Sequence, residues 1–447
     1  MDFFKKNTWM LVLLFAFLSR IFLFNPQKIV MWDAAVYLMN AKWFIGQQIY
    51  FEILRPPAFP LILGFFYKIG FNEALIQLVP IILSVLSIFV VYLLAKEVFG
   101  KPAGLISALL LMLNPLHLYW SPQQYTEITA MLFMMLSMLF LYKGLKEGKY
   151  IYLSVFFGTV AFLTRYPCGM ILPIIFAVLI INKKITLKNV LISALIVTAL
   201  VLPWLAYNQI YYNDWFRSLN ESQYWVSLAP SEPIYYYIMH LPETFSLTLI
   251  FLVPGIIFAL RMFKEKSYLP LFIFIIVFLA YFTYFAHKEI RYLLPVLPFI
   301  IILASKWLAD STGKLISKYR SKAIVIILAG AVALYVSQFL YVGFWGVNCT
   351  GINESAQGLD GIVASVYWPQ TAYYGSVQVR AMPGEKDDMY AWITDYNITY
   401  FVVSEYASWP PYGNDFAFWD SLTYLELYKK VNDNCLEYRV YQVKKNI

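Results

Sequence analysis

The chain has 447 residues, of which 61% are hydrophobic and 13% charged, and its 34 Lys and Arg against 26 Asp and Glu leave a formal net charge of +8. Soluble globular proteins carry roughly 25% charged residues, so this composition excludes that class and predicts a polytopic helical membrane protein. The basic excess falls in the links between apolar runs, where it is a topology signal; no nucleic-acid footprint is expected.

Apolar runs of about 20 residues are long enough to cross a hydrocarbon core. In chain order, spans are expected near 8–24, 74–95, 103–119, 127–142, 150–164, 168–182, 186–207, 244–261, 267–286, 291–308 and 323–345. The first has no small-residue cleavage pattern behind it and reads as a retained helix, not a signal peptide. Around Arg165-Tyr-Pro-Cys168, two short spans and one broken helix both fit. Phe59–Ile69 is apolar but short and follows Pro-Pro, so it is expected to lie in the membrane interface.

Lys5 and Lys6, Lys96 and Lys101, Lys143, Lys146 and Lys149, Lys183, Lys184 and Lys188, Arg261, Lys264 and Lys266, and the run Lys306–Lys322 all fall on one side of an eleven-span chain. By the positive-inside rule that side is cytoplasmic. The N-terminus is then inside and the C-terminus outside, with the first loop and the aromatic loop Tyr207–Glu243 facing outward.

At Gly346 the composition breaks: the remaining stretch holds 7 Lys and Arg against 12 Asp and Glu and is rich in Tyr and Trp. The expected division is a membrane part, 1–345, carrying a first outer loop at 25–73, and an extracytoplasmic α/β domain, 346–447. Within that domain, strands are expected at Gly361–Ser365 and Ile398–Ser404, a helix at Glu385–Tyr396, and a terminal hairpin from Leu425–Val431 and Leu436–Val443. An oxidising exterior permits a Cys349–Cys435 bridge, and two free thiols fit equally well. Asn-x-Ser/Thr sequons at Asn220, Asn348, Asn353 and Asn397 all fall in segments placed outside.

Ionisable residues kept at the outer mouth of an apolar bundle are functional candidates. Asp33 stands between Trp32 and Tyr37 where the chain leaves the first span; capping of a short helix is the competing explanation. Glu127 opens the fourth span, as a helix dipole also prefers. Arg165 sits at a helix-breaking Pro167, with snorkelling as the alternative. His287-Lys288-Glu289-Ile290-Arg291-Tyr292 crowds four ionisable groups into one link, more than a solvated turn requires. The set pairs carboxylates (Asp33, Glu127, with Glu52 nearby) with cations (Arg165, His287, Lys288, Arg291), which suits an anionic lipid phosphate beside a proton acceptor. Asp33, Glu127 and His287 would admit a divalent cation, although no ligand spacing requires one. The loop Tyr207–Tyr237, with Trp215 and Trp225, fits a sugar-stacking surface or an interfacial belt.

The run Trp32-Asp33…Tyr37…Ala41…Gly46…Tyr50…Arg55-Pro56-Pro57…Pro60 resembles the first outer loop of the GT-C glycosyltransferases, polytopic enzymes that take sugars from polyprenyl phosphate carriers. The resemblance is nearest to the protein O-mannosyltransferase and aminoarabinose-transferase branch, in particular archaeal members that use dolichyl-phosphate mannose. His287-Lys-Glu-x-Arg-Tyr292 is similar to the His-Lys-Glu-x-Arg-Phe motif of dolichol-phosphate-mannose-dependent mannosyltransferases. The resemblance implies a mainly α, GT-C-like helical bundle with a small outer α/β domain and a hexosyltransferase activity needing no cofactor. It makes Asp33 the general base and Glu127 the second acidic position. Arg165, His287, Lys288 and Arg291 then serve the donor phosphate, and Glu52, Arg55 and Tyr37 the acceptor or its loop. The expected acceptor is a lipid-linked glycan or a protein. Arg55-Pro-Pro stands where His-Pro-Pro is frequent, and Ala34 follows Asp33 in place of a second acid, which weighs against a protein Ser/Thr acceptor. No Trp-Trp-Asp-Tyr-Gly run occurs, so an oligosaccharyltransferase is not expected. A transporter or flippase of lipid-linked glycans is the rival class.

Overall fold

The computed structural model describes residues 8–24, 30–314, 350–386, 389–407, 409–433 and 435–444, together with Gly330, Ala333 and Val336. The expected span at 323–345 lies outside the described residues apart from those three positions. The other ten expected spans each coincide with helix: Thr8–Phe22, Leu78–Phe99, Lys101–Leu113, Thr126–Lys146, Tyr150–Thr164, Ile171–Ile181, Leu187–Tyr212, Leu249–Arg261, Leu269–Tyr284 and 297–314. Among the described residues, three helical stretches (Glu73–Phe99, Thr126–Lys146 and Leu187–Tyr212) are long and apolar enough to cross a membrane, and the rest are shorter apolar helices.

The chain divides into two compact units. The first, Met1–Phe24 with Ile53–Phe59 and Gln77–Trp345, is mainly helical over its described residues. Its core joins Ile88 and Val91, the methionines Met131, Met134, Met135 and Met138, and Phe274, Phe278 and Phe282. Those phenylalanines recur every fourth residue and so share one helix face. Gly100, at φ +92°, ends one helix in a conformation that costs glycine nothing. Four residues on, a Cβ at Gly104 would stand 2.8 Å from the Tyr92 carbonyl oxygen. Helices Leu78–Phe99 and Lys101–Leu113 can therefore meet backbone to side chain, as small residues allow in membrane bundles.

The expected span at 103–119 is interrupted. Asn114 caps a new short helix, Pro115–Trp120, by accepting from the His117 amide at 3.0 Å, and Pro115 occupies the first helical position. At Arg165 the open question resolves to a break. Helix Tyr150–Thr164 stops, Arg165 is extended (φ −155°, ψ 115°), and the 3-10 turn Tyr166–Met170 leads into Ile171–Ile181. Pro167 lies inside that turn and cannot donate the amide that a continuous helix would need.

The second unit gathers Asn25–Glu52, Pro60–Ile76 and Gly346–Ile447. Its sheet has strands β1 Ile362–Ser365, β2 Gln378–Ala381, β3 Ile398–Ser404, β4 Leu425–Asn432 and β5 Glu437–Val443, in the order β2-β1-β3-β5-β4. β1 runs parallel to β2 and β3, while β3–β5 and β4–β5 are antiparallel. Parallel neighbours need crossovers, supplied by helices Trp368–Gly375 and Met389–Tyr396. Both faces of β3 are buried. Phe401 and Val403 pack with Trp419 and Tyr441 on one side, and Tyr400 and Val402 with Val440 and Tyr438 on the other, the two-residue alternation of a strand. The strands expected at Gly361–Ser365 and Ile398–Ser404 and the terminal hairpin are present. The helix expected to open at Glu385 is described from Met389, and β2 was not foreseen. Cys435 is disulfide-bonded and Cys168 is free and buried; Cys349, with which the sequence left either a bridge or two free thiols open, lies outside the described residues, as does the Asn348 sequon.

The first loop belongs to the same compact unit as this sheet. Helix Trp32–Phe44 buries every residue from Ala34 to Ala41, and Phe59–Ile69 becomes helix Ala58–Lys68. Glu73 accepts from Tyr67 at 2.8 Å and from Tyr373 at 2.7 Å and pairs with Lys42 at 2.7 Å. Trp32 meets Trp368 edge to face at 4.4 Å, and the Val30 amide donates to Tyr374 at 2.6 Å. Residues far apart in sequence are thus tied by charge-assisted and aromatic contacts.

Candidate active site

Four of the expected site residues converge in the helical unit. Glu127 sits in the first turn of helix Thr126–Lys146, with 1% of its surface exposed. Its Oε1 accepts from Arg165 Nη1 at 3.0 Å and lies 3.5 Å from Arg291 Nε. Its Oε2 is buried with no hydrogen-bond partner among the described residues. The break at Pro167 explains how Arg165 gets there: the residue that ends helix Tyr150–Thr164 turns its guanidinium inward, 4.6 Å from the Tyr292 ring.

Arg291 lies in the 3-10 turn Ile290–Leu293. It pairs with Glu289 at 2.6 and 2.7 Å and lies over the rings of Tyr125 at 4.8 Å and Trp120 at 5.6 Å. Glu289 also accepts from His287 Nε2 at 3.1 Å and from Tyr292 at 3.0 Å. Burial works to raise the Glu289 carboxyl, but those hydrogen bonds and the Arg291 charge outweigh it and hold the group well below the usual carboxylate range. Lys288 points elsewhere: its buried ammonium donates to the Glu232 carbonyl at 2.8 Å, fastening the link after helix Leu269–Tyr284 to the aromatic loop.

Asp33 is the second residue of helix Trp32–Phe44, in the loop-and-sheet unit; the N-cap is Met31, which makes no side-chain cap. Asp33 therefore does not hold the capping position, although a first-turn acid still favours the dipole. Tyr37 is buried four residues on. Glu52 is fixed by Asn40, whose amide donates to the Glu52 carbonyl and accepts from its amide, both at 2.9 Å; the Glu52 carboxylate accepts from Tyr50 at 2.8 Å. Arg55 is half-buried in the segment Ile53–Phe59, grouped with the helical unit. Among the described residues no three His, Cys, Asp or Glu side chains gather as a metal site would need.

Three features escaped the sequence reading. Arg20 is fully buried in the first span, donating to Met112 O and His117 Nδ1 at 3.0 Å, while Ser87 holds His117 Nε2 at 3.0 Å. An arginine inside an apolar run was the available signal. Trp120 and Tyr125, the aromatic seat of Arg291, carried no distinguishing pattern. Tyr237 has a buried hydroxyl with no hydrogen-bond partner among the described residues. Burial raises it above the ordinary tyrosine range, with the Arg165 charge acting in the opposite direction.

A bundle of apolar helices with a charged, buried cluster at helix ends, joined in sequence to a small α/β domain, has the fold of the GT-C membrane proteins. Residues 54–207 match the family described as dolichyl-phosphate-mannose-protein mannosyltransferase. The fold is similar to that of ArnT from Cupriavidus metallidurans bound to undecaprenyl phosphate, with TM-score 0.73 and 16% identity over 97% of this chain and 98% of that one. It is also similar to the archaeal oligosaccharyltransferase AglB from Archaeoglobus fulgidus in complex with an inhibitory peptide and a dolichol-phosphate, with TM-score 0.64 and 15% identity over 90% and 70% of the two chains. The mycobacterial arabinofuranosyltransferase AftD matches with TM-score 0.55 and 14% identity over 98% of this chain and 40% of that one. No curated protein matches the chain significantly by sequence.

Proposed function

We propose that the chain is a membrane glycosyltransferase that moves a sugar from a polyprenyl phosphate carrier to an acceptor hydroxyl. The carrying observation is the set Glu127, Arg165 and Arg291: two guanidiniums share a carboxylate whose second oxygen has no hydrogen-bond partner among the described residues, inside an apolar bundle. Buried charge of this kind is costly unless something completes it, and Arg forks match phosphate geometry. The family match over 54–207 and the likeness to structures holding undecaprenyl phosphate and dolichol-phosphate support the same reading.

In this mechanism Asp33 accepts the proton of the acceptor hydroxyl, whose oxygen attacks the anomeric carbon in line and inverts it. The bond from that carbon to the phosphate oxygen breaks. Arg165 and Arg291 stabilise the departing polyprenyl phosphate, the electrostatic contribution that is usually largest in such sites. The sugar is a hexose, mannose being the first to test, the carrier is dolichyl, and the acceptor is a lipid-linked glycan or a protein. No cofactor is required. The basic loops support a cytoplasmic N-terminus and an outer C-terminal domain; cysteine labelling at Lys184 and Gly375 in intact cells tests that orientation. A transporter would bind its cargo near the bundle midplane, whereas Glu127 opens a helix and Arg165 ends one. The deciding experiment incubates the purified chain with dolichyl-phosphate mannose and extracted lipid-linked glycans and follows the products by mass spectrometry. Absence of any sugar transfer to lipid or protein, in a sample that moves intact glycolipid across vesicles, reverses the assignment.

A further inference from the structure

Strand β2 is an edge: among the described residues it pairs with β1 alone, at one end of the sheet order. Beside it is a cleft of about 410 Å³, lined chiefly by Tyr50, Trp368, Arg380, Trp392 and Tyr396. That volume falls in the range of about 300–1,000 Å³ usual for small-molecule sites. All five residues belong to the unit formed by the first loop and the C-terminal sheet.

The walls are aromatic and held from behind. Trp368 donates its indole N–H to Tyr50 at 3.1 Å, and Tyr50 donates to Glu52 at 2.8 Å, so the polar tips of both rings are committed. Trp392 rests on Tyr396 at 5.5 Å and on the buried Phe401 at 6.3 Å. Rings anchored in this way offer flat apolar surfaces at little entropic cost, suited to the C–H faces of sugar rings. Arg380 adds a charge: its guanidinium lies 4.1 Å from the Tyr396 ring, and no ion pair involves it among the described residues. The surrounding domain is acidic, with 7 Lys and Arg against 12 Asp and Glu. A single guanidinium there favours one acid group over a polyanion, and its planar fork matches a carboxylate.

We propose that this cleft binds an acidic sugar residue of the acceptor glycan, with Trp368, Trp392 and Tyr396 stacking on sugar rings and Arg380 pairing with the carboxylate. Trp368 also touches Trp32, the neighbour of Asp33, which gives the cleft a direct connection to the helix carrying the proposed base. This inference rests on the glycosyltransferase reading and names its acceptor class. A peptide adding to the β2 edge is the competing occupant. Its main-chain ladder would use the strand backbone and leave the two indoles and Arg380 without a role.

The test uses the full chain in nanodiscs without donor, and three probes: a glucuronic-acid-containing tetrasaccharide, its carboxyl-reduced neutral form, and an unstructured Ser/Thr-rich peptide. Binding is read by tryptophan fluorescence and calorimetry. The acidic tetrasaccharide is expected to bind, the neutral form about tenfold more weakly, and Trp392→Ala and Arg380→Gln each to cost about tenfold or more. Arg380→Lys should restore part of the loss. Absence of tetrasaccharide binding, affinity indifferent to both substitutions, or binding of the peptide alone would overturn the proposal. A parallel transfer assay keeps the two readings apart. Transfer that persists while binding ignores Trp392→Ala removes only the cleft; binding that persists without transfer from any polyprenyl phosphate donor removes only the enzyme.

Discussion

Arg165 Nη1 donates to Glu127 Oε1 at 3.0 Å, while Glu127 Oε2, equally buried, meets no hydrogen-bond partner among the described residues. Removing one member of a buried ion pair typically costs about 3–5 kcal/mol, because the other charge is left uncompensated. Glu127→Ala should therefore lower the thermal stability of the purified chain, since Arg165 and Arg291 both lean on that carboxylate. Glu127→Gln, which keeps an acceptor, should lose less. Unfolding in detergent measures both; equal melting temperatures for wild type and Glu127→Ala would mean that the pair contributes nothing.

Arg291 has two roles that substitution can separate. Glu289 holds it in place, and its face lies over Tyr125 and Trp120. If it also stabilises the leaving phosphate, Arg291→Ala should reduce transfer by about 10²–10³, the loss typical of one preorganised donor in a transition state. Arg291→Lys should recover only part, because the ammonium has no fork. Single-turnover transfer from a defined donor reads the effect, and wild-type rates in Arg291→Ala would exclude the residue from the reaction.

Tyr237 offers a cleaner separation of fold from function. A buried hydroxyl without a partner costs about 1–3 kcal/mol, so in a purely structural role Tyr237→Phe would leave stability unchanged or raised and activity untouched. If this buried hydroxyl, which has no hydrogen-bond partner among the described residues, instead serves the donor, stability should hold and donor affinity fall about tenfold, the scale of one lost hydrogen bond to a charged group. A donor titration at saturating acceptor distinguishes the two.

Glu289 carries a pH dependence of definite sign. Its folded-state carboxyl lies below the ordinary range despite burial, owing to His287, Arg291 and Tyr292. The unfolded group titrates near about 4.3. The stabilisation is therefore complete above that value and is lost as pH falls through the lower folded value. Glu289→Gln should be less stable than wild type across neutral pH, with the gap closing only in strong acid. A constant gap down to the lowest accessible pH would contradict this.

The apolar runs made the helices legible because only length and hydrophobicity were needed to place them, and the alternating pattern of Ile398–Ser404 did the same for the central strand. Partnership was not legible. Nothing at Arg165 announces that Pro167 will turn it toward Glu127, or at Lys288 that its ammonium will meet the Glu232 carbonyl instead of joining Arg291. No sequence pattern sets Glu73 apart, yet Lys42, Tyr67 and Tyr373 converge on it from stretches up to 300 residues away. Arg20 was concealed in the opposite way: a single charge inside an apolar run barely moves a window average, while burial makes it the centre of a polar network with His117 and Ser87. Local pattern encodes elements, whereas the site depends on contacts at long sequence separation.

Asp33 is where the enzymatic reading meets its sharpest test. The carboxylate occupies the second position of helix Trp32–Phe44, one residue past the capping residue's immediate neighbour, and everything from Ala34 to Ala41 behind it is buried. A first-turn acid contributes about 0.3–1 kcal/mol through the helix dipole, and Asp33→Asn preserves size and an acceptor oxygen. It removes the charge and the basicity together. If Asp33 takes the acceptor proton, transfer should fall by about 10²–10⁴, the usual contribution of a positioned base, and donor affinity should persist because Arg165 and Arg291 are untouched. The measurement is transfer rate and donor binding on the same folded preparation. A rate within a few-fold of wild type would remove Asp33 as the base and move the search for one to another residue.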